Sequence, residues 1–307
     1  RQWIVPQVAL LYSRAAHYRT SPKLFAPWGS PAIQGLRGVL QSLLDNQYPV
    51  EIVSEHHLAG RMSRWPLIVI PEWEYLEPAF QSELADYVRA GGQLLLVGPG
   101  PMALFGRELA VRVGDKPSMS GRYLALEDRL AGIHAMVQPV AVEGRARSIG
   151  RLHETDDPSS PFLPAASVSP LGRGRIAAIH FNYGDRYLLG RTSIARDFLR
   201  AVVREVFPEP AVEVRGSHSV DVSLGRNHDK LLINLVNTAG PHESEKQYTF
   251  DDIPAVGPLE VAFRATKEPK SVVRQPAGEV LPVDWRDGVA RVRVPGVALY
   301  DILVVTE

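Results

Sequence analysis

The sequence contains no cysteine. Disulfides, thiolate metal sites and cysteine nucleophiles are excluded at once. The compartment is left open by this, because a secreted protein need not carry a disulfide. Neither sign of charge dominates: Lys+Arg and Asp+Glu stand at 34 each. A neutral chain has no general electrostatic pull toward nucleic acid or an anionic membrane. Apolar runs of membrane-spanning length and a signal-peptide pattern are also missing. Neither nucleic acid nor a membrane is therefore expected as a partner, and a soluble, cytoplasmic setting is favoured. The first residue is Arg1 rather than Met, so the chain is expected to begin inside a longer gene product or after a processed leader.

What is present suits two soluble domains. The 307 residues exceed one typical domain, and 45% hydrophobic with 22% charged residues is ordinary for a globular chain. The first two-thirds alternates strand and helix signals. Strands are expected at 8–12, 50–53, 67–70, 93–97 and 175–181, as short apolar runs of the kind that parallel sheets bury. Helices are expected at 31–46, 78–90 and 193–206, each with an apolar stripe at helical spacing. Residues 14–30 read as a long irregular loop, and 105–170 as a less regular stretch with a half-buried strand at 136–142. This order predicts an α/β domain over 1–209, a parallel sheet flanked by helices. After Pro208-Glu209-Pro210 the apolar period changes to two. Several short strands without helix signals then predict an all-β sandwich over 210–307.

Glu72-Trp73-Glu74-Tyr75 falls at the C-terminal end of the expected strand 67–70, the edge where open α/β sheets gather ligands. Carboxylates beside aromatic rings also suit a sugar, so Glu72, Trp73, Glu74, Tyr75 and His180 are the candidate ligand-binding residues. His180 with Asp185 and Ser13 invites a triad, but no Gly-x-Ser-x-Gly elbow supports it. Adjacent His56 and His57 suit solvated or capping roles better than a metal site. Gly98-Pro99-Gly100 lacks the lysine of a phosphate loop and reads as a tight turn. No catalytic residue, metal ligand or cofactor is assigned. In the loop 14–30, His17, Tyr18, Arg19, Phe25 and Trp28 are the candidate interface residues, since aromatics with arginine are common interface anchors.

Two stretches carry a family resemblance. Residues 8–12, 50–53, 65–71 and above all 87–96 (Tyr-Val-Arg-Ala-Gly-Gly-Gln-Leu-Leu-Leu) resemble the trimerisation domain of family 42 beta-galactosidases, which is similar in fold to class I glutamine amidotransferases. Residues 230–237 and 294–305 resemble the β-sandwich that closes such enzymes. The resemblance implies a flavodoxin-like α/β domain, an upstream catalytic barrel holding the hydrolytic carboxylates, and a homo-oligomer. An amidotransferase would need a cysteine nucleophile, so glutaminase chemistry is ruled out. The leading expectation is a non-catalytic accessory or assembly region of a glycoside hydrolase, with carbohydrate as a further partner. Two alternatives stay open. One is a stand-alone hydrolase using Glu72, Glu74, His180 or Asp185. The other is a carbohydrate-binding module using Trp73, Tyr75 or Trp285.

Overall fold

Short apolar strands stopped by glycine and proline build the first unit of the computed structural model, in which residues 2–5, 7–20, 31–240 and 253–307 are described. The chain divides into two compact units. One comprises Val8–Leu43 and Glu51–Glu209, the other Arg1–Gln7, Leu44–Val50 and Pro210–Glu307. The first strand, β1 (Gln2–Ile4), belongs to the second unit.

The α/β unit begins with β2 (Val8–Leu11), α1 (Arg14–Thr20), α2 (Pro31–Asp45), β3 (Val50–Val53) and α3 (Glu55–Leu58). It continues through β4 (Leu67–Pro71), α4 (Pro78–Arg89), β5 (Gln93–Val97) and α5 (Pro99–Leu104). Strands β2, β4 and β5 are almost wholly buried. That is what runs such as Leu67-Ile68-Val69-Ile70 require of a sheet covered on both faces. Helix α4 turns Phe80, Leu84, Ala85 and Val88 inward.

The stretch 105–170 is a set of antiparallel strands. These are β6 (Val111–Val113), β7 (Ser118–Leu126), β8 (Arg129–Val137), β9 (Val140–Val142), β10 (Arg147–His153) and β11 (Phe162–Leu171). They lead into β12 (Gly174–Ile179), α6 (Tyr183–Gly190) and α7 (Ser193–Val206). The nine-stranded sheet has the order β3-β2-β4-β5-β12-β11-β10-β7-β8. Pairs β2–β4, β4–β5 and β5–β12 are parallel, and the pairs from β12 to β8 are antiparallel.

The sheet is therefore mixed, which corrects the expectation of a parallel sheet. The physical reason lies in β7 and β8, joined by the short Glu127-Asp128 turn, with Glu127 at φ +55°. A hairpin of this kind can only be antiparallel. The loop expected over 14–30 is also corrected in part: Arg14–Thr20 is a helix, while residues 21–30 lie outside the described residues.

The second unit is a two-sheet β structure. Its strands are β13 (Val212–Arg215), β14 (Val220–Asn227), β15 (Lys230–Asn237), β16 (Leu259–Arg264) and β17 (Ser271–Gln275). They are followed by β18 (Glu279–Leu281), β19 (Asp284–Arg286), β20 (Val289–Val294) and β21 (Tyr300–Thr306). One sheet runs β1-β14-β15-β21-β17-β18 and the other β13-β16-β20-β19. Alternating residues such as Leu231, Ile233, Leu235, Val261, Phe263 and Val292 form one core.

Residues 1–7 and 44–50 fall in the same compact unit as 210–307. Gln2–Ile4 pairs with β14 in the register Trp3↔Arg226, so the N-terminal residues serve the sandwich rather than the α/β unit. Among the described residues, no helix is long and apolar enough to cross a membrane.

Candidate functional site

The C-terminal ends of the parallel strands β2, β4 and β5 bring Ser13, Glu72 and Gly98 to one edge of the sheet, and Glu55, which follows β3, reaches Ser13 there. Glu72 follows β4 directly. Its N–H donates to the Val97 carbonyl at 2.9 Å, prolonging the ladder by one residue. Its backbone then turns to φ +34°, a left-handed conformation that a non-glycine residue adopts only under constraint.

The constraint is visible in the side chain. Glu72 Oε1 accepts from the N–H of Gly184 at 2.6 Å and of Asp185 at 3.2 Å. Both donors belong to the first turn of α6, whose N–H groups have no partner within the helix. Space for the carboxyl comes from glycines. A Cβ on Gly35 would lie 2.5 Å from Glu72 Oε2, and one on Gly98, at φ +92°, would lie 3.0 Å from its Cγ. Glycine also lets α2 and α6 touch, since a Cβ on Gly38 would stand 1.7 Å from the Gly184 carbonyl oxygen.

The carboxyl end of Glu72 is enclosed, although part of the residue reaches the surface. Burial pushes its pKa up to about 7; the two N–H donors and Arg186 act against this, and the Asp185 carboxylate adds to it. Asp185 itself pairs with Arg186 and accepts from Asn182 Nδ2 at 3.1 Å. A carboxyl poised near neutrality could serve as an acid or base. Here it is engaged with a helix terminus.

The neighbouring side chains are also committed. Trp73 is 0% exposed, donates its indole N–H to the Leu11 carbonyl at 2.8 Å and meets Tyr12 edge-on at 6.0 Å. It offers no face to a sugar. Glu74 is exposed, with its Cγ against Gly100. Tyr75 lies under the Arg19 guanidinium, 3.6 Å from the ring centroid. Glu55 acts on α1 much as Glu72 does on α6: it accepts from Ser13 Oγ at 2.6 Å and from Arg14 N–H at 3.2 Å. Tyr12 beside it has a raised pKa, chiefly through burial, with Tyr18 and Glu55 adding to the effect.

The triad Ser13, His180 and Asp185 is not assembled. His180 is 0% exposed; its Nε2 meets Ser167 Oγ at 2.9 Å and its Nδ1 meets the Pro164 carbonyl at 2.8 Å. The carbonyl can only accept, so the network assigns the proton to Nδ1 and leaves Nε2 to accept from the serine. Burial lowers its pKa to about 4. A nitrogen NMR titration is expected to show the Nδ1–H tautomer and a neutral ring down to about pH 4. Titration near the ordinary histidine value of about 6.5 would contradict this placement.

His56 and His57 are exposed, both with Nδ1 on Ser54 Oγ at 2.9 and 3.1 Å. Among the described residues, no three His, Asp or Glu side chains gather as metal ligands.

Of the interface candidates, His17 is only 6% exposed and packs on Tyr12 with ring centroids 5.7 Å apart, so it belongs to the interior. Tyr18 is 63% exposed. Phe25 and Trp28 lie outside the described residues. The sequence reading missed the capping roles of Glu55 and Glu72 and the helix contact at Gly38 and Gly184. The Gly35-x-x-Gly38 spacing within an apolar helix was the available signal for that contact.

No family model matches the chain, and no curated protein matches it. Solved structures do. Alpha-L-fucosidase isoenzyme 2 from Paenibacillus thiaminolyticus is similar over 100% of this chain and 49% of its own, at 14% identity and a TM-score of 0.79. A catalytic mutant of Gan42B, a GH42 beta-galactosidase from G. stearothermophilus, is similar over 98% of this chain and 40% of its own, at 13% identity and a TM-score of 0.64. The beta-galactosidase from Rahnella sp. R3 is similar over 100% and 42%, at 13% identity and a TM-score of 0.63. The chain thus spans half or less of the length of these structures, and at such identity the likeness is one of fold, a fold shared with glycoside hydrolases.

Proposed function

We propose that this chain is the non-catalytic accessory and assembly region of a glycoside hydrolase, with hydrolysis performed by a catalytic barrel upstream. The observation that carries this reading is the commitment of the edge side chains to the fold. Glu72 holds the α6 terminus and Glu55 the α1 terminus. Trp73 and His180 are buried in hydrogen bonds of their own. Glycoside hydrolysis needs two carboxyl groups facing each other across a cleft that admits a sugar. Glu72 and Glu74 instead part company, one turned to a helix terminus and the other to solvent.

The likeness to part of longer glycoside hydrolases supports the same reading. The proposal extends to fold type: the order β3-β2-β4-β5-β12 is that of flavodoxin-like sheets. It extends also to self-association and barrel docking by the α/β unit, with Tyr18, Arg19, Phe25 and Trp28 among the contacts.

Purified chain is to be incubated with aryl β-galactoside and aryl α-L-fucoside. The expected result is no release above the uncatalysed rate. Release that disappears in Glu72→Gln or Glu74→Gln would establish a stand-alone hydrolase and overturn the proposal.

A further inference from the structure

The outward face of the four-stranded sheet β13-β16-β20-β19 carries an excess of arginine. Strand alternation puts Glu213 and Arg215 on it from β13, Glu260 and Arg264 from β16, and Arg291 and Arg293 from β20. Asp284 and Arg286 come from β19 and pair with each other at 2.8 Å. Five arginines against three carboxylates leave a surplus of two positive charges, in a chain whose net charge is zero.

Around the groove itself Arg215, Arg291 and Arg293 face Glu260 and Asp284, a surplus of one positive charge, with Asp284 the cross-strand neighbour of Arg291 and already paired with Arg286. The register places Arg215, Glu260 and Arg293 side by side across three strands. Adjacent strands are about 4.8 Å apart, so the two arginines flank one carboxylate at about 10 Å separation. Arg291 stands two residues from Arg293 on the same strand. Among the described residues, Arg215, Arg291 and Arg293 enter no ion pair.

These three side chains ring an open groove of about 600 Å³, with a hollow of about 170 Å³ adjoining it through the shared Arg215, Glu260 and Arg291. Pro258, Pro282 and Val283 also line the groove and supply an apolar wall.

We infer that this groove binds an anionic glycan, its carboxylate or sulfate groups held by Arg215, Arg291 and Arg293 and its C–H faces lying on Pro258, Pro282 and Val283. Guanidinium groups suit planar or tetrahedral oxyanions through paired N–H donors. Single-stranded nucleic acid is disfavoured because no aromatic ring is among the groove's lining residues to stack a base. The choice of a glycan over an acidic peptide rests on the proposal that the chain is part of a carbohydrate-active protein; binding of an anion does not.

The full chain is to be tested by affinity electrophoresis in polygalacturonate, dextran sulfate and neutral galactan, with poly-glutamate and single-stranded DNA as competitors. Retardation by polygalacturonate or dextran sulfate, and none by galactan, is expected; which of the two retards identifies carboxylate or sulfate. The double variant Arg291→Gln with Arg293→Gln is expected to weaken binding at least about tenfold, and ionic strength of about 0.5 M to weaken it further. Because these side chains are exposed, a second pair, Arg215→Gln with Arg293→Gln, checks the effect in an independently folded variant. No retardation, or variants that bind like the parent, overturns the groove itself. Equal or tighter binding of poly-glutamate or DNA overturns the glycan. Neither result bears on the absence of hydrolysis tested above.

Discussion

Trp73→Ala is expected to lower the stability of the α/β unit by about 3–5 kcal/mol. The indole is 0% exposed, and its removal leaves a cavity beneath the sheet edge as well as a lost transfer free energy. The Leu11 carbonyl, which accepts the indole N–H at 2.8 Å, loses that donor, and Tyr12 loses its edge-on neighbour. Trp73→Phe should cost less, because the ring refills part of the volume while the carbonyl still lacks its donor. Urea unfolding of the two variants measures both. A Trp73→Ala protein as stable as the parent, yet impaired in sugar binding, would restore Trp73 as a ligand platform.

The second large effect concerns Glu72 and pH. Its pKa is raised from 4.5 to about 7 in the folded chain, with burial the leading cause. A carboxyl raised by folding binds its proton more tightly in the native state than in the unfolded one. Its contribution to stability is therefore greatest below pH 4.5 and declines as pH rises to about 7. At roughly 1.4 kcal/mol per pH unit, the decline is on the order of 3 kcal/mol.

Glu72→Gln keeps an oxygen for the Gly184 and Asp185 N–H groups and removes the titration. The difference in unfolding free energy between Glu72→Gln and the parent is expected to grow in favour of the variant as pH rises from about 4.5 to 7. A difference that does not change with pH would show the carboxyl to titrate normally. Glu72→Ala is expected to be less stable than either at any pH, because two helix-terminal donors lose their acceptor.

The sequence showed where chain elements lie better than what their side chains do. The strand at Gln93–Val97 and the helix at Ser193–Val206 were legible because their apolar residues follow one period and their ends carry glycine, proline or a Thr192 cap. Of the antiparallel strands between Val111 and Leu171 only a stretch at 136–142 was legible, and there β8 ends at Val137 and β9 starts at Val140. Residues such as Gly121, Gly132 and Gly150 interrupt the alternation of these strands, and several outward positions of β7 and β8 are exposed. Strand β1 was hidden for another reason: three residues carry no period, and only pairing with β14 makes them a strand.

At the site, the position of Glu72 at the end of β4 was readable from the run 67–71. Its partner was not, because Gly184 is 112 residues away and local pattern cannot report such a pairing. Trp73 looked like a sugar platform because sequence cannot tell an inward aromatic from an outward one on an irregular turn. The arginines of β20 were, by contrast, written in plain alternation as Arg291-Val292-Arg293. Only the register with Arg215 and Glu260 turns that alternation into a groove.

The intact mass and reading frame of the natural gene product bear most directly on whether this chain is the accessory region of a larger carbohydrate-active enzyme. The expected result is a protein substantially longer than 307 residues, with a catalytic barrel preceding Arg1. A natural product bounded by Arg1 and Glu307 would contradict that reading and make the Glu72 edge of the sheet the first place to seek a self-contained site.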